Sequence, residues 1–164
     1  MTEDEEPHYL LDTNIVSELV RYRADFNVLK KLIEHNGDCA ICAPVWHKLL
    51  YGVYRLPDGL RKTNFEKFLH DEVEDMFPIK NYTKKAAEIF ADLRAKLEKI
   101  GKTPENSDAE IASIALANRM ILATRNVKHF AAIQEVSDLQ VENWFEDEKS
   151  TPSGAQDVFS NMPG

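Results

Sequence analysis

Cysteine is scarce: the 164 residues contain two, Cys39 and Cys42. They form CAIC, nominally a C-x-x-C, but a zinc ribbon needs a second such pair and a redox motif needs to open a helix. Apolar flanks and the following Pro44 place this stretch in a strand instead, so the thiols read as buried and inert in a reducing compartment. Long apolar runs are absent too. Nothing approaches the roughly 20 residues that cross a bilayer, and Met1 leads into acids where a secretory leader would be basic and then apolar. The expectation is a cytoplasmic chain with no membrane association. An excess of basic residues is also missing, since the net charge is −8, which taken whole would repel nucleic acid. The imbalance, however, sits at the ends. Glu3, Asp4, Glu5 and Glu6 carry −4 of it, and Glu146, Asp147, Glu148 and Asp157 less Lys149 carry −3, leaving −1 for residues 7–145. We expect acidic tails at 1–6 and 146–164, the second disordered, and one domain over 1–145 whose own charge does not exclude an RNA substrate. No internal repeat is present.

What the chain does have is a regular alternation of element types. His8–Leu11 reads as a strand, Ile15–Val20 and Asn27–His35 as helices, and Asp38–Cys42 as a second strand closed by Pro44 at a helix start. Val45–Arg55 is helical, with Val45, Leu49 and Val53 on one apolar stripe, and Pro57-Asp58-Gly59 ends it in a turn. Thr63 and Glu66 form a capping-box pattern for a helix to Val73. Phe77–Lys80 is a brief strand, and Tyr82–Ile100 is the longest helix, stopped by Gly101. A loop over Lys102–Asn106, a helix over Ser107–Asn118 and strands at Met120–Thr124 and Leu139–Trp144 complete the pattern. Strands alternating with helices predict an α/β fold with a parallel sheet covered on both faces. Ligands of such sheets bind at the carboxyl ends of strands near a topological switch point.

Three polar groups stand at such boundaries. In YLLDTNIVSEL an apolar strand stops on Asp12, which either caps the turn or presents a carboxylate for chemistry. In NSDAEIASIALA, Ser107 and Glu110 form a second capping-box pattern that sets Asp108 in a first helical turn, where the helix dipole alone accounts for an acid. In ILATRNVKHF a strand ends in Thr124 and Asn126, residues that also turn a chain and cap a helix. Each has a structural explanation taken singly. Taken together, two strand ends and a helix start converging on one sheet edge would gather carboxylates that repel each other unless a cation intervenes. Mg2+ or Mn2+ suits such oxygen donors and phosphate oxygens, which points to metal-dependent phosphodiester hydrolysis.

LLDTNIVSEL, YGVYRL, DAEIASIALANRMILATRNVKHF and LQVENW, in that order over residues 8–145, resemble the PIN-domain ribonucleases, and in particular the VapC-type toxins of toxin–antitoxin pairs. The resemblance implies a three-layer α/β/α sandwich with a mainly parallel sheet of about five strands. It implies an endoribonuclease using Mg2+ or Mn2+, a homodimer or larger toxin–antitoxin assembly, and a small VapB-like antitoxin whose C-terminal segment fills the active-site groove. DNA would be reached only through that antitoxin. Asp12 and Asp108 would bind metal, Asn126 would take a fourth site held by Asp or Asn, and Thr13 and Thr124 would support the cluster by hydrogen bonding. A flap-nuclease-like enzyme acting on DNA is disfavoured by the short chain.

One position departs from the family pattern. Where HKLLYG should carry Glu four residues before the glycine, this chain has Lys48. Either Lys48 snorkels to solvent along Gly52, or its ammonium faces Asp12 and Asp108, pairs with them and takes the cation's place. In the second case the chain is an inactivated ribonuclease, or a PIN module that binds antitoxin or RNA without cutting. His47 lies about 100° around the helix from Lys48 and reads as peripheral. His129 reads as a turn or surface residue, and Trp46 and Trp144 as core or interface packing. Helices over Ile15–His35 and Leu60–Val73 are expected to frame the antitoxin groove. Arg21, Arg23, Arg55 and Arg61 are candidate contacts for an acidic partner or RNA phosphate.

Overall fold

The computed structural model describes residues 6–145, so the tail from Glu146 onward and Glu3–Glu5 lie outside the described residues. The elements run β1 (Tyr9–Leu11), α1 (Thr13–Val16) continued by a 3-10 turn over Ser17–Val20, α2 (Phe26–Glu34), β2 (Cys39–Cys42), α3 (Ala43–Tyr54) and α4 (Leu60–Phe68). A π segment, Leu69–Val73, joins α4 to the single turn α5 (Glu74–Met76). Then come β3 (Ile79–Lys80), α6 (Lys84–Lys99), α7 (Asn106–Ala117), β4 (Ile121–Ala123), a 3-10 turn at Val127–Phe130 leading into α8 (Ala131–Glu135), and β5 (Val141–Glu142).

The strands form one five-stranded parallel sheet in the order β3-β2-β1-β4-β5. The α/β architecture expected from the alternation is the one observed. Successive residues of a strand face opposite sides of the sheet, and Leu10, Leu11, Ala40, Ile41, Cys42, Leu122 and Ala123 are all fully buried, so helices cover both faces. The chain begins at the centre of the sheet, builds β2 and β3 on one side, and then crosses to β4 and β5 on the other. The switch point thus lies between the carboxyl ends of β1 and β4, where the crevice of such sheets opens. No helix among the described residues is long and apolar enough to cross a membrane.

Two helix starts differ from expectation. α4 begins at Leu60, because Gly59, at φ +152°, makes the reversal that a side chain would resist, and Thr63 falls inside the helix. The Thr63 hydroxyl donates back to the Gly59 carbonyl at 3.1 Å instead of capping. α7 begins at Asn106 after Glu105, so Ser107 is not its cap, and the buried Ser107 Oγ has no partner among the described residues. α6 is capped as sequence chemistry would have it, the Thr83 hydroxyl accepting from the Ala86 N–H at 3.2 Å. Gly101, at φ +71°, ends it.

The final strand is short because Trp144 leaves the ladder to plug the core. Its indole Nε1 donates to the Glu142 carboxylate at 2.9 Å, its carbonyl accepts from Asn27 Nδ2 at 2.7 Å, and its ring stacks on His35 with centroids 5.5 Å apart. Of the two roles open to Trp144 from sequence, it fills the core one, being wholly buried. Both thiols are buried and unbridged, and burial pushes each up to about 12, so neither is a nucleophile at neutral pH. Trp144→Ala is expected to cost about 3–5 kcal/mol, read as a shift of the urea midpoint at unchanged slope. A loss under about 1 kcal/mol would show that the last strand is not part of the cooperative core.

Candidate active site

Asp12 leaves the end of β1 and caps α1, its Oδ1 accepting from the Thr13 N–H at 2.8 Å. The capping role considered from sequence is therefore real, but it uses one oxygen. Oδ2 accepts from the Thr124 hydroxyl at 2.8 Å, across the gap between β1 and β4. Thr124 is fully buried, and its oxygen also accepts from Asn14 Nδ2 at 3.3 Å and from the Asn126 N–H at 3.1 Å. With both lone pairs engaged, the hydroxyl proton has one destination, the Asp12 carboxylate. Asp12 is 6% exposed, so it is a carboxylate held in place, largely out of water.

Asn14 is the residue that sequence reasoning missed. Besides Thr124, its Oδ1 accepts from the Arg125 N–H at 3.0 Å, which ties the exit of β1 to the exit of β4. Its signal was its place two residues after Asp12, but its partner lies 110 positions away and only the sheet order makes them neighbours. Thr13 supports the site through its N–H, whereas its hydroxyl is buried without a partner among the described residues. The hydrogen bond of Thr13 to the cluster thus runs through its backbone.

Asp108 occupies the first turn of α7, 7% exposed. Burial raises its carboxyl above the usual range and the charge of Asp12 raises it further, while Lys48 and His129 act in the opposite direction. The two acids and Lys48 are thus gathered at one edge of the sheet. Lys48 lies in α3, which rises from the end of β2 and packs against both α1 and α7. It is half-buried and makes no ion pair among the described residues; its charge lies near enough to lower the Asp108 carboxyl, without the direct pairing considered from sequence. His129 is exposed, as expected of a turn histidine, with Nδ1 3.7 Å from Asp108 Oδ2. Asn126 stands exposed at the exit of β4, attached to the cluster by its N–H to Thr124.

The remaining candidates separate. Arg21 is spoken for by Glu18, a 1% exposed carboxylate 3.1 Å away, so it is not a free surface contact. Arg23 is exposed, while Arg55 and Arg61 lie over the rings of Tyr51 and Phe65, each at 5.7 Å. The expected groove is present. Leu19 and Val20, just before α2, face Leu60, Arg61, Asn64, Phe65 and Phe68 of α4 around a cavity of about 530 Å³.

Residues 9–136 match the PIN domain family. The chain belongs to that family. It is 32% identical over 138 residues to Ribonuclease VapC2 of Rickettsia felis, covering 83% of this chain and 97% of the relative. Among solved structures, FitAB bound to a DNA fragment superposes with a TM-score of 0.76 at 27% identity, covering 85% of this chain and 98% of that one. VapBC2 from Rickettsia felis bound to a DNA fragment from their promoter gives a TM-score of 0.66 at 30% identity, covering 83% and 98%. The motifs quoted above, in their order along the chain, resemble that same family.

Two predictions follow from the geometry. Thr124→Val removes the hydroxyl that orients Asp12 and leaves two N–H donors facing a methyl group; a loss of about 1–3 kcal/mol in chemical denaturation is expected. For Asp108 the folded-state pKa lies above the unfolded one, so its ionisation opposes folding, in full above the folded pKa and not at all below the unfolded one. Asp108→Asn should therefore melt higher than the parent at pH 7, and the gap should close as pH falls towards about 4. A gap that widens on acidification would reverse the sign assigned here.

Proposed function

We propose that this PIN-domain protein is the toxin of a toxin–antitoxin pair, built on a ribonuclease scaffold that hydrolyses RNA phosphodiesters, and that Lys48 switches the cleavage off in this chain. The observation that carries the reading is the desolvated pair Asp12 and Asp108 at the switch point, with the charge of Lys48 close enough to act on Asp108. Two buried like charges are costly to keep, and a fold that retains them does so for a cation or a reaction. The family supplies Mg2+ or Mn2+ for that purpose, and Asp12 and Asp108 are the carboxylates that would hold it.

The residues present do not fit that ion. Each Asp12 oxygen accepts one hydrogen bond and keeps a lone pair, but no group of three or more potential ligands gathers among the described residues, and Lys48 brings a positive charge to the same place. A divalent ion would meet repulsion where the family pattern offers a third carboxylate. What the chain retains is the frame: Thr124 and Asn14 fix Asp12, and Asn126 marks the mouth. Such a chain binds RNA and antitoxin without cutting.

The apolar groove between Val20 and Phe65 supports a VapB-like antitoxin as partner, an amphipathic helix laying its apolar face there. DNA would be reached through that partner, as in the DNA-bound complexes this chain resembles. We further propose a homodimer, which the family pattern implies.

The test is cleavage of a structured RNA such as tRNA in Mn2+ by the parent, by Lys48→Glu, and by Lys48→Glu with Asp12→Asn. Only Lys48→Glu should cut. In chelator Lys48→Glu should melt below the parent, since three acids then share the site. Saturating Mn2+ at about 100 times its Kd should add about 2.7 kcal/mol to that variant, roughly 5–10 °C, and leave the parent unmoved. Cleavage by the parent would sink the switched-off reading.

A further inference from the structure

We propose that the outward face of α3 is a single-stranded RNA track, in which His47, Tyr51, Tyr54 and Arg55 carry bases and phosphates towards the carboxylate site. This deepens the proposed function and rests on it for the nature of the substrate.

The stripe is a consequence of helical spacing. Val45, Leu49, Gly52 and Val53 turn one side of α3 into the core, which leaves His47, Tyr51, Tyr54 and Arg55, at i, i+4, i+7 and i+8, on the opposite side. Tyr51 and Tyr54 are 46% and 48% exposed, although nothing in the fold obliges two aromatic rings to face water there. They are not idle surface. The His47 and Tyr51 rings lie 6.5 Å apart, and the Arg55 guanidinium sits over the Tyr51 ring at 5.7 Å. Imidazole, phenol and guanidinium therefore follow one another along one helix face, the His47 and Tyr51 rings tilted 39° to each other, and exposed rings beside a guanidinium are a surface on which bases stack.

Charge selects the partner. In a chain of net charge −8, residues 39–57 contain no Asp or Glu, and residues 39–65 contain one, Asp58, against Lys48, Arg55, Arg61 and Lys62. An acidic polymer therefore meets no carboxylate of α3 and a single one before α4, Asp58. The neighbouring groove by Phe65 is different in kind, being lined mainly by Leu19, Val20, Leu60, Phe65 and Phe68. That lining suits an apolar helix, whereas the stripe suits bases. α3 rises from the carboxyl end of β2 and His47 stands in its second turn, so the stripe runs towards the sheet edge that carries the acid pair.

The experiment is fluorescence anisotropy with a labelled single-stranded RNA of about ten nucleotides, using the full chain without metal so that cleavage plays no part. Tyr51→Ala and Arg55→Ala should each weaken binding about tenfold, Tyr51→Phe should bind like the parent, and Lys96→Ala, on the far surface of α6, should change nothing. Binding by Arg55→Ala should also show a shallower dependence on salt, as one phosphate contact is lost. The proposal is overturned if the parent binds no RNA or if Tyr51→Ala and Arg55→Ala bind as the parent does. It is equally overturned if those variants change only the sedimentation of the protein, which would make the stripe a contact between copies. Placing Tyr51→Ala on Lys48→Glu separates the two readings. Unchanged cleavage there removes the track and leaves the ribonuclease, whereas RNA binding through Tyr51 with no cleavage by Lys48→Glu removes the ribonuclease and leaves the track.

Discussion

The hydrogen bond from the Thr124 hydroxyl to Asp12 is the contact on which the site depends. It spans the gap where the chain changes direction across the sheet, and it fixes a carboxylate that the protein has largely withdrawn from water. Its polarity is forced. Two N–H groups, from Asn14 and Asn126, occupy the oxygen's lone pairs, and what remains is a donor aimed at Asp12. A site built this way stays in place without an ion, because the carboxylate's orientation is supplied by the strands themselves. Asp108 is different. It is held by its position in the first turn of α7, where burial and the charge of Asp12 raise its carboxyl and Lys48 and His129, from other elements, offset only part of that rise.

That difference explains why one substitution in α3 can change the character of the protein while the fold persists. A carboxylate at position 48 would complete a cage whose repulsion only a divalent ion relieves. A lysine there relieves the same repulsion from within the chain. The frame around Asp12 is made without position 48: Asp12 accepts from the Thr13 N–H and the Thr124 hydroxyl, and Asn14 bonds to Thr124 and to the Arg125 N–H just beyond β4. Under the proposed function, folding is thereby uncoupled from the reaction, because the bonds that hold Asp12 are made without position 48.

Most of the architecture was legible in sequence for a physical reason. YLLD and ILAT are apolar on both faces, as only a strand sandwiched between helices can be, and the acids stand where those runs stop. Asp12 and Asp108 were readable because element boundaries are visible as changes of period. What escaped was whatever depends on neighbours far along the chain or on backbone sign. Asn14 finds Thr124 across 110 positions, and no local pattern announces that. Thr63 and Glu66 carry the letters of a capping box, yet Gly59 reverses the chain earlier and the helix starts without them. Arg21 read as a surface cation because the buried Glu18 beside it is invisible to a pattern that counts exposure by residue type.

The division of labour across residues 39–65 follows from one helix having two neighbours. α3 must bury Val45, Leu49 and Val53 to cover the sheet, and that leaves it a single face for the solvent. Placing aromatic and cationic groups on that face, and none of the chain's acids among them, costs nothing in packing, because the core face alone anchors the helix. α4 was freed from the same duty: it buries no residue fully, and its Phe65 and Phe68 line an open groove instead. On the proposed reading, one helix offers rings and charge to a nucleic acid while the next offers an apolar trough to a protein helix, and the two uses do not compete because they draw on different residues of α3 and α4.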